Sequence, residues 1–134
     1  MNSNQLPRPL VNQLLHQAQC SPDSEVCGLI GKQPDGSCRL YPIRNIANQP
    51  ERLFHMDPTE QIESMRAMRE RNESLLAIYH SHPHSPAVPS TTDLSEAEYP
   101  DALYLIISLN IKGVLEMRGY RITGDEMSEV AVEI

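Results

Sequence analysis

Apolar positions recur along the chain at two periods, and the switches between them lay out the elements. Leu10, Leu14, Leu15 and Ala18 stand at helical spacing behind Pro7 and Pro9, which predicts a first helix over about Leu10–Gln19, ended by Ser21-Pro22-Asp23-Ser24. Val26 to Gly31 reads as a buried strand. Gln33-Pro34-Asp35-Gly36-Ser37 then turns the chain into a return strand, Cys38–Ile43, whose Pro42 suits an edge or a strand end. A short strand is expected at Leu53–Met56, followed by a second helix over about Thr59–Arg71 with Ile62, Met65, Met68 and the stem of Arg69 on one face. Leu75–Tyr79 is continuously apolar, as a central strand is. After the proline-rich stretch from Pro83 to Pro89, a brief helix begins at Ser90 and ends near Tyr99-Pro100. Leu103–Ile107 is the next buried strand, and Val114–Ile122 and Ser128–Ile134 alternate as later strands. Strands interspersed with two or three helices predict an α/β architecture, helices packed on a mixed sheet, in one domain over residues 1–134.

Composition narrows the partners. With one Phe and no Trp, the core must rest on Leu, Ile, Val, Met and Ala. A net charge of −7, with no cluster of Lys and Arg, argues against nucleic acid, whose binders depend on such clusters to displace counterions. The N-terminus lacks the basic start and apolar stretch of a secretory signal, and no apolar run approaches the roughly 20 residues that span a bilayer. No membrane partner is expected. Cys20, Cys27 and Cys38 form an odd, sparse set without a C-x-x-C pair, which fits reduced thiols in a cytoplasmic protein.

The chemistry concentrates in the segment from His80 to Asp93. It begins where a buried strand is expected to end, a usual place for ligand sites in α/β sheets. Residues two apart on an extended chain point the same way, so His80 and His82 can aim both imidazoles at one point before Pro83 forces the chain aside. The loop then brings Asp93 back. Two His and one carboxylate make a tripod for Zn2+, leaving the fourth tetrahedral position open to water. Such an ion lowers the pKa of bound water from 15.7 toward about 7. Glu25, at the start of the strand from Val26, is the candidate to carry the proton from water to the leaving amine. Ser90 is the candidate donor to the oxyanion. Each residue also has a plainer reading. H-x-H pairs are common by chance, Glu25 alone would suit a surface strand start, and Cys27 a small buried filler. His84, His55 and His16 read as loop or surface residues. Ser90-x-x-Asp93 fits a helix-capping box equally well, a reading compatible with metal binding because capping would orient Asp93.

The arrangement Glu25 … His80-Ser81-His82-Pro83 … Ser90-x-x-Asp93 resembles the JAMM motif of the MPN-plus (Mov34/MPN/PAD-1) metallopeptidases, in its short bacterial form. Seven residues, Pro83 first, separate His82 from Ser90, and two separate Ser90 from Asp93. The flanking text is similar too, in Glu25-Val26-Cys27-Gly28-Leu29-Ile30-Gly31, in Phe54-His55-Met56-Asp57-Pro58 and in Ser85–Ser90. The resemblance implies an MPN (cytidine-deaminase-like) fold, a zinc ion on His80, His82 and Asp93, Glu25 as general acid/base and Ser90 as oxyanion donor. It further implies action on the C-terminal Gly-Gly tail of a ubiquitin-like sulfur-carrier protein, by tail processing or release of an amino acid. Grip on two ubiquitins at once is not expected of so short a chain. A catalytically silent MPN domain serving as a binding scaffold is the alternative, although such domains typically lack a ligand and this chain lacks none. A zinc nucleobase deaminase would need a P-C-x-x-C pair, which is absent.

Overall fold

In the computed structural model, which describes residues 4–111, 114–124 and 126–133, the elements run β1 (Asn4–Gln5), α1 (Arg8–Cys20), β2 (Cys27–Lys32), β3 (Cys38–Ile43), α2 (Pro58–Glu70), β4 (Ser74–His82), α3 (Thr91–Glu96), β5 (Leu103–Ser108), β6 (Glu116–Thr123), β7 (Glu126–Val130) and β8 (Val132–Glu133). Six strands form one sheet in the order β3-β2-β4-β5-β6-β7, antiparallel except for the parallel pair β4–β5, and β1 pairs with β8 in a separate two-stranded ribbon. The mixed sheet flanked by helices expected from the pattern is therefore present.

Alternation along the central strands divides the core in two. Ala77, Tyr79, Leu103, Leu105 and Ile107 face one side, where Leu10, Val11, Leu14 and Ala18 of α1 cover them. Ile78, Tyr104 and Ile106 face the other, with Met68 of α2, and Leu94 of α3 packed against them. The functional segment grows out of this second face. α1 starts earlier than its spacing predicts and takes in Pro9, which costs nothing in a first turn whose N–H groups have no helical partner anyway.

Several boundaries differ from expectation. Leu53–Met56 forms no strand, only the isolated bridge between Asn45 and Met56. The α3 helix stops at Glu96 rather than near Tyr99, because Ala97 is extended and the Tyr104 hydroxyl accepts the N–H groups of Glu98 and Tyr99. Ile62 of α2 is exposed, so that helix buries only Met68 fully, with Met65 packed beside it. The single strand expected at Ser128–Ile134 is split into β7 and β8, and its last residue, Ile134, lies outside the described residues.

Candidate metal and catalytic site

β4 does not end at Tyr79 but continues through His80-Ser81-His82. The polar side chains stay in the sheet because the backbone ladder continues on both sides. Ser81 donates its N–H to the Val26 carbonyl (3.0 Å), its hydroxyl accepts the Val26 N–H (2.9 Å), and His80, Ser81 and His82 pair in register with Ile106, Ile107 and Ser108 of β5. Ser81 is thus the stitch that fixes the two flanking histidines on the opposite face of the strand. It stood in the family-like motif of the sequence without a role of its own.

The loop after His82 is tied down at each turn. Ser108 donates its hydroxyl to the Ser85 carbonyl, Tyr120 donates to the Ala87 carbonyl, and the His82 Nδ1–H donates to the Pro86 carbonyl at 2.8 Å. Asp93 returns in the first turn of α3, inside a full capping box. Its N–H donates to the Ser90 hydroxyl oxygen at 3.0 Å, and its Oδ2 accepts the Ser90 N–H at 2.9 Å. The capping reading and the tripod geometry hold together. In that box the Ser90 hydroxyl is an acceptor, so its own hydrogen is uncommitted.

Three donor atoms meet at one point. His80 Nε2 and His82 Nε2 are 3.1 Å apart, and Asp93 Oδ2 stands 3.1 and 3.2 Å from them. A tetrahedral ion with ligands at about 2.0–2.1 Å needs donor separations of about 3.3 Å, so the spacing fits one. Tautomer chemistry is compatible with this. Because a carbonyl only accepts, His82 Nδ1 carries the hydrogen, and in the neutral ring Nε2 turns a lone pair on the Asp93 carboxylate. Lone pairs facing each other in a buried cluster favour a positive charge between them, either a metal ion or a proton on His82. Burial would lift the Asp93 carboxyl, but the two imidazoles hold it well below the carboxylate range. Burial pushes His80 down toward the neutral ring, whereas for His82 it is outweighed by Asp93, the Pro86 carbonyl and Glu25, which raise it.

Glu25 sits beside this cluster, its ligand atom and those of His80 and His82 all within 4.8 Å of one another. The 3.1–3.2 Å contacts join His80, His82 and Asp93, and Glu25 Oε1 bonds to none of them. The residue is 5% exposed, its Oε1 has no hydrogen-bond partner, and burial pushes its carboxyl up to about 7, with His82 pulling it back and Asp93 adding to the rise. A carboxyl poised at that value can both take and give a proton at neutral pH. A cavity of about 470 Å³ opens from His80 and Asp93, walled by Phe54, Met56, Tyr104 and Ile106, a size usual for ligand sites. His84 is exposed and outside the tripod, and Cys27 is a buried filler whose thiol donates to the Ile43 carbonyl.

Two further residues belong to the site and had no assigned role. Phe54 stacks on the His80 ring (centroids 4.4 Å apart, planes 23° apart), and Asn45 binds the Glu25 carbonyl. Phe54 stood in the segment that resembles the family; nothing in the sequence marks Asn45.

A profile of the prokaryotic homologues of the JAB domain matches residues 7–122. The desampylase of Haloferax volcanii is 33% identical over 115 residues, covering 84% of this chain and 80% of that protein. The CysO-cysteine peptidase of Mycobacterium tuberculosis is 35% identical over 128 residues, covering 93% and 86%. Among solved structures, protein DSY2949 of Desulfitobacterium hafniense superimposes with a TM-score of 0.83 at 33% identity, over 96% of this chain and 90% of that one.

Proposed function

The chain belongs to the prokaryotic JAB family, has the MPN fold and is a hydrolase, and from that premise we propose that it is a zinc peptidase cutting the amide bond after the C-terminal Gly-Gly of a ubiquitin-like sulfur-carrier protein. The observation that carries this reading is the 3.1–3.2 Å convergence of His80, His82 and Asp93 donor atoms with a buried, unpartnered Glu25 beside them. His80, His82 and Asp93 hold the ion. The chemistry it supplies is Lewis-acid activation of water and of the scissile carbonyl at neutral pH. Glu25 takes the proton from the attacking water and hands it to the leaving amine. The free hydrogen of the Ser90 hydroxyl points the oxyanion role to that residue.

The substrate class rests on the relatives, a desampylase and a CysO-cysteine peptidase, and on the chemistry of the tail, since glycine lets backbone approach a metal closely. We place the reaction in the cytoplasm, in keeping with three free cysteines. No helix among the described residues is long and apolar enough to cross a membrane, and the −7 charge disfavours nucleic acid. The test is to measure zinc by mass spectrometry and to incubate the protein with sulfur carriers extended beyond Gly-Gly, with and without chelator. About one zinc per chain and chelator-sensitive release of the extension are expected. Protein without stoichiometric zinc overturns the metal centre, and uncut carriers with zinc-loaded protein overturn the substrate.

A further inference from the structure

His82 is oriented by its own hydrogen bond to Pro86, but neither His80 nor Glu25 has such an anchor. His80 Nδ1 and Glu25 Oε1 are both buried without a partner. The His80 ring stacks on Phe54 with centroids 4.4 Å apart and meets the His82 ring at a tilt, centroids 4.9 Å apart. The backbone of Glu25 is held by its N–H, which donates to the Pro50 carbonyl at 2.7 Å. Phe54 and Pro50 both come from one excursion, residues 44–57, which closes on itself through the bridge between Asn45 and Met56.

We infer that Asn45 is a positioning residue for this site, tying the segment that carries Glu25 to the segment that carries Phe54 and so holding the Glu25 carboxyl and the His80 ring in register. An Asn side chain offers two N–H donors and two acceptor lone pairs. Asn45 makes four bonds with them. Its Nδ2 donates to the Glu25 carbonyl (3.0 Å) and to the Leu53 carbonyl (2.9 Å), and its Oδ1 accepts the N–H groups of Ala47 (3.0 Å) and His55 (2.9 Å). Leu53 and His55 flank Phe54, so the amide grips that residue from both sides. An ordinary turn asparagine accounts for the Ala47 bond, two residues along the chain. The other three bonds span 8, 10 and 20 residues, and a turn does not require them.

The inference rests on Glu25 and His80 acting as proposed above, so its test carries that reading as a separate control. Asn45→Asp keeps the acceptor for Ala47 and His55 but sets an oxygen against the Glu25 and Leu53 carbonyls, and Asn45→Ala removes all four bonds. Both variants should hold zinc about 10–100-fold more weakly in chelator competition and lose about 10–100-fold in kcat, with KM changed less than about threefold. The visible band of the cobalt-substituted protein should shift as well. Parent-like kcat, zinc affinity and cobalt spectrum, measured well below each variant's own melting temperature, overturn the inference even if that temperature falls. If neither variant folds, Phe54→Leu should weaken zinc binding and Phe54→Tyr should restore it, and equal affinities in both overturn it. A parent protein without zinc or turnover, or a Glu25→Gln variant with full turnover, defeats the reading of the site instead.

Discussion

Two buried glutamates stand at opposite ends of the same strand pair. Glu25 lies just before β2, where Cys27 faces His80 across the ladder, and Glu73 just before β4, where Ser74 faces Lys32. Their burial is alike, 5% and 8% exposed. Their surroundings are opposite. Glu73 accepts from the Tyr41 hydroxyl (2.5 Å), from Arg39 Nε (3.1 Å) and from Gln33 Nε2 (3.2 Å), and Gly31 makes room for it, since a Cβ there would stand 2.6 Å from its Oε1. Burial would raise its carboxyl, but those donors hold it below the ordinary value. Glu25, with one oxygen unpartnered, is pushed up to about 7. Where the fold needs a fixed anion it surrounds the carboxylate with donors. At Glu25, the proton carrier of the proposed mechanism, it leaves the carboxyl dry and short of them.

The contrast breaks most sharply under Glu25→Gln. Removing only proton transfer should lower kcat by about 10²–10⁴-fold, while zinc content stays near one per chain and the melting temperature does not fall. A steady-state assay beside metal analysis checks this, and retained turnover would remove Glu25 from the mechanism.

A second effect has a definite sign in the zinc-free protein. A carboxyl raised to about 7 keeps its proton in the native state across pH values where the unfolded chain has released it. Stability contributed by Glu25 is therefore full below about 4.5 and declines as pH rises toward 7, by up to roughly 3 kcal/mol. His82, also raised, tilts the same way, so the difference between parent and Glu25→Gln isolates the carboxyl. Urea melts of both proteins at pH 5 and pH 7 should show a steeper loss in the parent. Parallel behaviour would mean that Glu25 is ionised throughout.

How much of this was legible follows from distance along the chain. The tripod was, because alternation fixes His80 and His82 on one face and the capping pattern returns Asp93 within the same loop. The extent of β4 was not. The strand was expected to end at Tyr79, and Ser81 binding Val26, a partner 55 residues away, is what carries the ladder on through His82. Asn45 and Glu73 were invisible for the same reason, their partners lying up to 20 and 40 residues off with no periodic pattern to announce them. Leu53–Met56 misled the other way. Its apolar residues suggested a strand, yet the segment serves to hold Phe54 against His80 with one bridge.

Glu73→Gln turns the comparison around. The charge leaves, a donor amide faces the side chains of Tyr41 and Arg39, and the protein should lose about 2 kcal/mol of stability with kcat unchanged. The exposed half of Arg39 keeps the ion pair itself a minor part of that loss. The pH sign is opposite to that of Glu25. A lowered carboxyl contributes stability above its ordinary value and loses it as pH falls through the native one, so the variant's acid limb should be flatter. A fall in kcat at pH 7 would show that the two ends of the strand pair are coupled.

The smallest effect separates a satisfied carboxylate from one merely crowded by neighbours. Tyr41→Phe removes one of the three donors to Glu73 and leaves Arg39 and Gln33 in place. The Tyr41 hydroxyl also accepts from Arg71 at 2.9 Å, so the single variant loses two contacts and should cost about 1 kcal/mol. The double variant with Glu73→Gln tells the two contacts apart. If the Tyr41 hydroxyl acts by donating to the carboxylate, its removal should cost less when the carboxylate is already gone, with a coupling of about 0.5–1 kcal/mol in the cycle. Full additivity would assign the stabilisation to Arg71 and leave Glu73 with two effective donors, bringing its environment a step closer to that of Glu25.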